Sequence, residues 1–165
     1  HLTVHIVCNA HDDVGRGKTV EEYFTGSTDL ELIQPSVRDI LNSVTWALDK
    51  DPRRRFTYVE MKYFTMWYKV LDDNTKKVVK KVIKYGQVEI TQGGWVASDE
   101  ACTNYEDLIL NMHIGHKFLW EEFQVKPKVG WMLDSFGHSE ANAALYSDFG
   151  FEALFVTRVN PETRE

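Results

Sequence analysis

Trp131-Met132-Leu133-Asp134-Ser135-Phe136-Gly137-His138-Ser139 joins a strand, an acid and a helix start within one short stretch. Val129, Trp131 and Leu133 are apolar, and so is the intervening Met132. Strands buried on both faces carry such continuous runs. Asp134 ends the run, Gly137 permits a sharp turn, and Ser139 suits a helix N-cap. In parallel α/β sheets the chemistry gathers at the carboxyl ends of strands. Asp134 is therefore either a working carboxylate or a cap on the turn, and the stretch by itself supports both readings.

Working outward, the same grammar repeats. Residues 2–8 are β-branched and apolar and predict a strand, with Cys8 a buried thiol. It runs into Asn9-Ala10-His11-Asp12-Asp13-Val14-Gly15. His11 and Asp13 are two apart, which in extended backbone points both side chains the same way. An imidazole and a carboxylate on one side suit a divalent metal, zinc above all. The competing reading is that Asp12 or Asp13 caps a helix over 18–24.

Residues 36–48 have the spacing of an amphipathic helix stopped at Asp51-Pro52. Phe56 to Val59 predicts a second strand, with Glu60 at its tip. The aromatics between Tyr63 and Tyr68 fit core rather than a sugar platform. Asp72-Asp73-Asn74 opens a helix with a lysine-rich wet face, and Gly86 suits its C-terminal cap. Residues 87–91 predict a third strand, followed by Gln92-Gly93-Gly94-Trp95, where two glycines allow close backbone approach. Thr103 and Glu106 have capping-box spacing before a helix reaching about Phe123. His113 and His116 on that helix are structural or surface residues. A helix over 139–149 and a strand over 151–157 follow, with Arg158 at the strand tip. A guanidinium there either holds a carboxylate or faces water.

Strand and helix alternate throughout, without a linker. This predicts one α/β unit over 1–165 with a parallel sheet, its strand tips bearing His11 with Asp13, Asp134 and Arg158. A net charge of -6 argues against a dedicated nucleic-acid binder. No apolar run reaches membrane-span length, and no basic-then-apolar leader follows His1. There is no Cys-x-x-Cys, which excludes a cysteine zinc site, and no Asn-x-Ser/Thr sequon.

Four motifs in order resemble glycoside hydrolase family 38, the zinc-dependent α-mannosidases. They are His11-Asp12-Asp13-Val14-Gly15, Lys18-Thr19-Val20-Glu21-Glu22-Tyr23-Phe24, Gly93-Gly94-Trp95 with Asp99-Glu100-Ala101, and Asp134-x-Phe136-Gly137-His138-Ser139. The Asp12-Asp13 pair and Asp51-Pro52-x-Arg54-Arg55-Phe56 resemble the lysosomal type. The resemblance implies an α/β fold that is the N-terminal portion of a parallel (β/α) barrel-like domain, an incomplete barrel. It implies Zn2+ held by His11, Asp13 and Asp134, with Asp134 also the nucleophile of a retaining enzyme, and Phe136 and Arg158 lining the substrate pocket. The implied substrate is a mannose-containing oligosaccharide, and the implied compartment is lysosomal or elsewhere on the secretory pathway.

Three positions depart from the family pattern. Arg16 stands where a tryptophan usually contacts mannose, Asn9 where a histidine commonly precedes the first motif, and Ser135 where proline usually follows the nucleophile. In that pattern the fourth zinc ligand and the acid/base aspartate lie beyond residue 165. The expectation is a fragment that needs the downstream part of the same enzyme, is inactive in isolation and holds zinc weakly. Two other readings are a metal-dependent carbohydrate deacetylase and a truncated, non-catalytic relic.

Overall fold

The computed structural model describes residues 1–26 and 36–160. The chain divides into two units, His1–Ile90 and Thr91–Glu165.

In the first unit the elements are α1 (Val20–Thr25), α2 (Val37–Lys50), β1 (Phe56–Tyr58), α3 (Met61–Val70), α4 (Asp73–Lys84) and β2 (Val88–Ile90). β1 and β2 pair in parallel, Phe56 opposite Val88 and Tyr58 opposite Ile90. Such pairing needs a crossover, and α3 and α4 supply it. The core is aromatic, with Tyr58, Tyr63, Phe64, Trp67 and Tyr68 all buried. Phe64 meets Trp67 edge-on at 5.4 Å, and the Trp67 indole donates to Asn42 Oδ1 at 2.8 Å. The aromatics of 63–68 are therefore core, as their spacing predicts. Asp72 caps α4 through the N–H groups of Asn74 and Thr75, and Gly86 follows it at φ +68°.

Residues 2–8 do not form the predicted strand. Only Asn9 makes a bridge, to Thr57, and the Thr57 N–H donates to the Cys8 carbonyl at 2.8 Å. Leu2, Val4, Ile6 and Val7 are exposed, and so is the free thiol of Cys8. Strand propensity is realised only where a neighbour and a buried face exist, and most of this segment has neither.

The second unit contains α5 (Tyr105–Phe123), β3 (Val129–Met132), α6 (Glu140–Asp148) and β4 (Ala153–Val156). β3 and β4 pair in parallel around the α6 crossover, Val129 opposite Ala153 and Met132 opposite Val156. Trp131 packs on Phe155 at 5.4 Å, and Tyr146 on Phe151 at 5.3 Å. The cap of α5 is Asn104, without a side-chain hydrogen bond, while the Thr103 hydroxyl donates to the Asp99 carbonyl. The predicted box at Thr103 and Glu106 is thus not formed.

The two glycines after the third strand serve packing. A Cβ on Gly115 of α5 would sit 1.9 Å from the Gly93 carbonyl oxygen, so helix and loop touch backbone to backbone. Gln92 is fully buried at φ 55°. Its N–H donates to the Val129 carbonyl at 2.6 Å, its side chain accepts the Trp131 N–H at 3.2 Å, and its carbonyl takes His116 Nε2 at 2.7 Å. His116 is accordingly structural.

The architecture is α/β, with two short parallel strand pairs among the described residues, each spanned by helices.

Candidate active site

In the first unit the chain leaves the bridge at Asn9 and turns through 11–17 before α1. Neither Asp12 nor Asp13 caps that helix. Thr19 does, in a complete capping box: its hydroxyl accepts the Glu22 N–H, and the Glu22 carboxylate accepts the Thr19 N–H at 2.8 Å. The three polar residues of the first motif therefore need another explanation.

His11 and Asp13 do point together. His11 Nε2 lies 3.0 Å from Asp13 Oδ1, with both side chains partly exposed. Asp13 Oδ2 is held at 3.2 Å by Arg16, whose side chain is 69% exposed. Beneath them the Tyr63 hydroxyl, from α3, donates to the Asp13 carbonyl at 3.1 Å. Asp12 points inward and is buried, alongside Glu60 and Tyr58. Asp12 Oδ2, Glu60 Oε2 and the Tyr58 hydroxyl reach no hydrogen-bond partner of good geometry among the described residues.

Two carboxyls in one buried space cannot both keep a charge at low cost. Burial pushes the Glu60 carboxyl well up, and the charge of Asp12 adds to the push. Burial likewise raises Asp12, against the opposing pull of the Tyr58 hydroxyl and His11. The Tyr58 and Tyr63 hydroxyls are raised by burial as well, Tyr63 to about 12.

In the second unit β3 ends at Met132, and Asp134 stands two residues beyond it. Arg158, two residues past the end of β4, donates to Asp134 Oδ1 through both Nε, at 3.1 Å, and Nη2. The parallel register, with Met132 opposite Val156, brings these two loops side by side. The guanidinium also lies 4.3 Å from the centre of the Phe136 ring, a cation–π contact on an exposed aromatic. Within the second unit Asp134, Phe136 and Arg158 form one cluster, and within the first unit His11 and Asp13 form a pair. Ser139 caps α6 through the Ala141 N–H, as its sequence position predicts.

Several participants are invisible to a linear reading. The buried set of Asp12, Tyr58 and Glu60, the support from Tyr63, and the Arg16 grip on Asp13 all arise from packing. Only the tip position of Glu60 gives a signal in the sequence.

The chain is α/β, with Asp134 and Arg158 just beyond two paired parallel strands and His11 and Asp13 just beyond the Asn9 bridge. The family described as Glycosyl hydrolases family 38 N-terminal domain matches residues 1–164, and the chain belongs to that family. It is 41% identical over 159 residues to the lysosomal alpha-mannosidase of Dictyostelium discoideum, spanning 96% of this chain and 16% of that protein. It is 39% identical over 165 residues to the alpha-mannosidase of Canavalia ensiformis, 99% of this chain and 17% of the relative. The human lysosomal alpha-mannosidase is 40% identical over 161 residues, again 16% of its length. Among solved structures, an alpha-mannosidase from Enterococcus faecalis V583 superposes with a TM-score of 0.71 at 18% identity, covering 91% of this chain and 16% of that one. At that identity the likeness speaks for the fold alone. The chain therefore spans about a sixth of the length of the relatives it matches. No helix among the described residues is long and apolar enough to cross a membrane.

Proposed function

We propose that this chain is the nucleophile-bearing part of a retaining, zinc-dependent α-mannosidase. It would remove terminal α-linked mannose from oligosaccharides or glycoprotein glycans in a lysosomal or other secretory-pathway compartment. The observation that carries the reading is the Asp134–Arg158 pair within a family 38 chain. A guanidinium on one carboxylate oxygen fixes the acid's orientation, as an attacking group requires.

In a retaining glycosidase one carboxylate attacks the anomeric carbon while a second carboxyl protonates the departing oxygen; water, deprotonated by that second group, then releases the sugar. Asp134 takes the attacking role, forming and later breaking its ester to the anomeric carbon. Arg158 holds the carboxylate, and Phe136 offers an apolar face to the sugar. The second carboxyl belongs to the remainder of a longer enzyme, whose single catalytic domain of barrel-like form includes residues 1–165.

The His11–Asp13 pair fits a zinc ion: a ring nitrogen and a carboxylate oxygen, 3.0 Å apart and accessible. His11, Asp13 and Asp134 would hold it. Bound zinc would supply Lewis-acid polarisation of sugar hydroxyls. The buried carboxyls beneath the pair suit a site of concentrated positive charge, which would favour their ionised forms.

The test uses the whole enzyme that carries this chain. A fluorinated mannosyl donor that reacts but turns over slowly should add one sugar mass to the peptide containing Asp134. Labelling on another residue, with Asp134→Asn still active on an aryl α-mannoside, would overturn the assignment. Metal analysis of the His11→Ala, Asp13→Ala double variant should find zinc lost.

A further inference from the structure

The turn that follows Asp134 is gripped from a distant part of the second unit. Glu100 is the centre of the grip, with only 5% of its side chain exposed. One carboxylate oxygen lies 3.1 Å from His138 Nδ1, and the other accepts the Ser139 N–H at 2.5 Å. Its neighbours act on the same turn: Asp99 Oδ1 accepts the Phe136 N–H at 3.4 Å, and the Ser98 carbonyl accepts the Ser135 hydroxyl at 3.3 Å. Three consecutive residues, 98–100, thus bind four of the five residues 135–139.

The grip is made of strong parts. Hydrogen bonds to an ionised carboxylate are about twice as strong as neutral ones. A buried carboxylate left without partners is costly, so Glu100 has good reason to hold its two. Ser139 is also the N-cap of α6, where backbone N–H groups favour a negative charge. Gly137, in the middle of the turn, sits at φ +104° with open space where a Cβ would be.

We propose that Glu100 is a positioning residue for Asp134. It pins His138 and the start of α6, so that the turn presents the Asp134 carboxylate and the Phe136 ring in one arrangement. The inference rests on the assignment of Asp134 as nucleophile. The contacts of Glu100 are to His138 and Ser139, so its effect passes through the turn.

The experiment compares Glu100→Ala and Glu100→Gln in the whole enzyme. A displacement of about 1 Å at a reacting group costs on the order of 100-fold in rate. Glu100→Ala should therefore lower kcat by about 10- to 100-fold with KM changed less than about threefold. Glu100→Gln keeps an acceptor for Ser139 and should recover much of the loss, which a generally weakened fold would not permit. Amide hydrogen exchange on metal-free protein gives a second readout: in Glu100→Ala, residues 135–139 should exchange faster while the peptides of the first unit do not.

Unchanged exchange at 135–139 overturns the proposal whatever the activity. Faster exchange with unchanged kcat overturns it as well, since the turn would then be held without serving Asp134. A wild-type enzyme inactive on α-mannosides would instead sink the mannosidase reading, and the exchange experiment alone would judge the grip.

Discussion

Arg16 sets a cation on the carboxylate that the proposed zinc would need, one of whose oxygens it already holds. The contact is exposed, and exposed ion pairs are worth about 0.2–1 kcal/mol. Arg16→Ala should thus tighten zinc binding only about two- to fivefold by calorimetric titration; weaker binding would mean that Arg16 supports the site. Glu60 and His116 bear on pH with opposite sign. The folded Glu60 carboxyl lies well above its usual 4.5, raised first by burial and then by Asp12. The folded state thus holds a proton that the unfolded chain has lost. That contribution to stability is full below about 4.5 and disappears as pH climbs through the folded value. His116 is lowered below 6.5, chiefly by burial, with the Gln92 carbonyl opposing. Its contribution is full above 6.5 and is lost as pH falls, because the unfolded chain takes up the proton first. In metal-free protein, Glu60→Gln should flatten the loss of Tm expected from this group as pH rises above about 4.5. His116→Gln should flatten the loss on acidification. A Tm profile unchanged by either variant would show that the group does not titrate with folding.

At the scale of elements, α5 crosses the Gly93 loop backbone against backbone. Gly115→Ala would drive a methyl to within 1.9 Å of a backbone oxygen that no rotamer change can relieve. Overpacking of this kind costs about 1–3 kcal/mol or more. The substitution also gains helix propensity, about 1 kcal/mol, which the clash should outweigh. Urea denaturation should find a net loss; a net gain would mean that α5 can slide freely. The cap of α1 works in the other direction. Thr19→Ala removes a complete capping box from a six-residue helix and should cost about 0.5–2 kcal/mol. The consequence to measure is faster amide exchange over 19–25, and unchanged exchange would refute it.

For the whole molecule, the chain covers 16–17% of its relatives, while retaining hydrolysis needs two carboxyls. The 165 residues expressed alone should therefore hydrolyse no aryl α-mannoside at a rate above the uncatalysed one. Measurable turnover that disappears in Asp134→Asn would refute the dependence on further chain. Each unit also exposes apolar side chains that folded proteins usually cover. They are Leu2, Val4 and Ile6 in the first, and Leu154, Phe155 and Trp120 in the second.

Local order was written legibly into this chain. The aromatic core of 63–68, the caps at Asp72 and Ser139, the parallel alternation and the family 38 motifs all follow from residue type and spacing, because they depend on neighbours a few positions away. Residues 2–8 show the limit of that logic: their β-branched pattern specifies a strand only if a partner lies beside it, and tertiary structure supplies one at Asn9 alone. The burial of Asp12 against Glu60 and the grip of Glu100 on residues 138–139 were likewise settled by packing. Those contacts join side chains up to 48 positions apart, where no periodicity reaches. The sequence by itself determined which reactive groups the chain carries in its candidate motifs: His11, Asp12, Asp13, Asp134 and Arg158. Tertiary structure decided which of those groups meet water, which are buried, and which carboxylate Arg158 orients, because charge and hydrogen bonding depend on distance and solvent rather than on order along the chain.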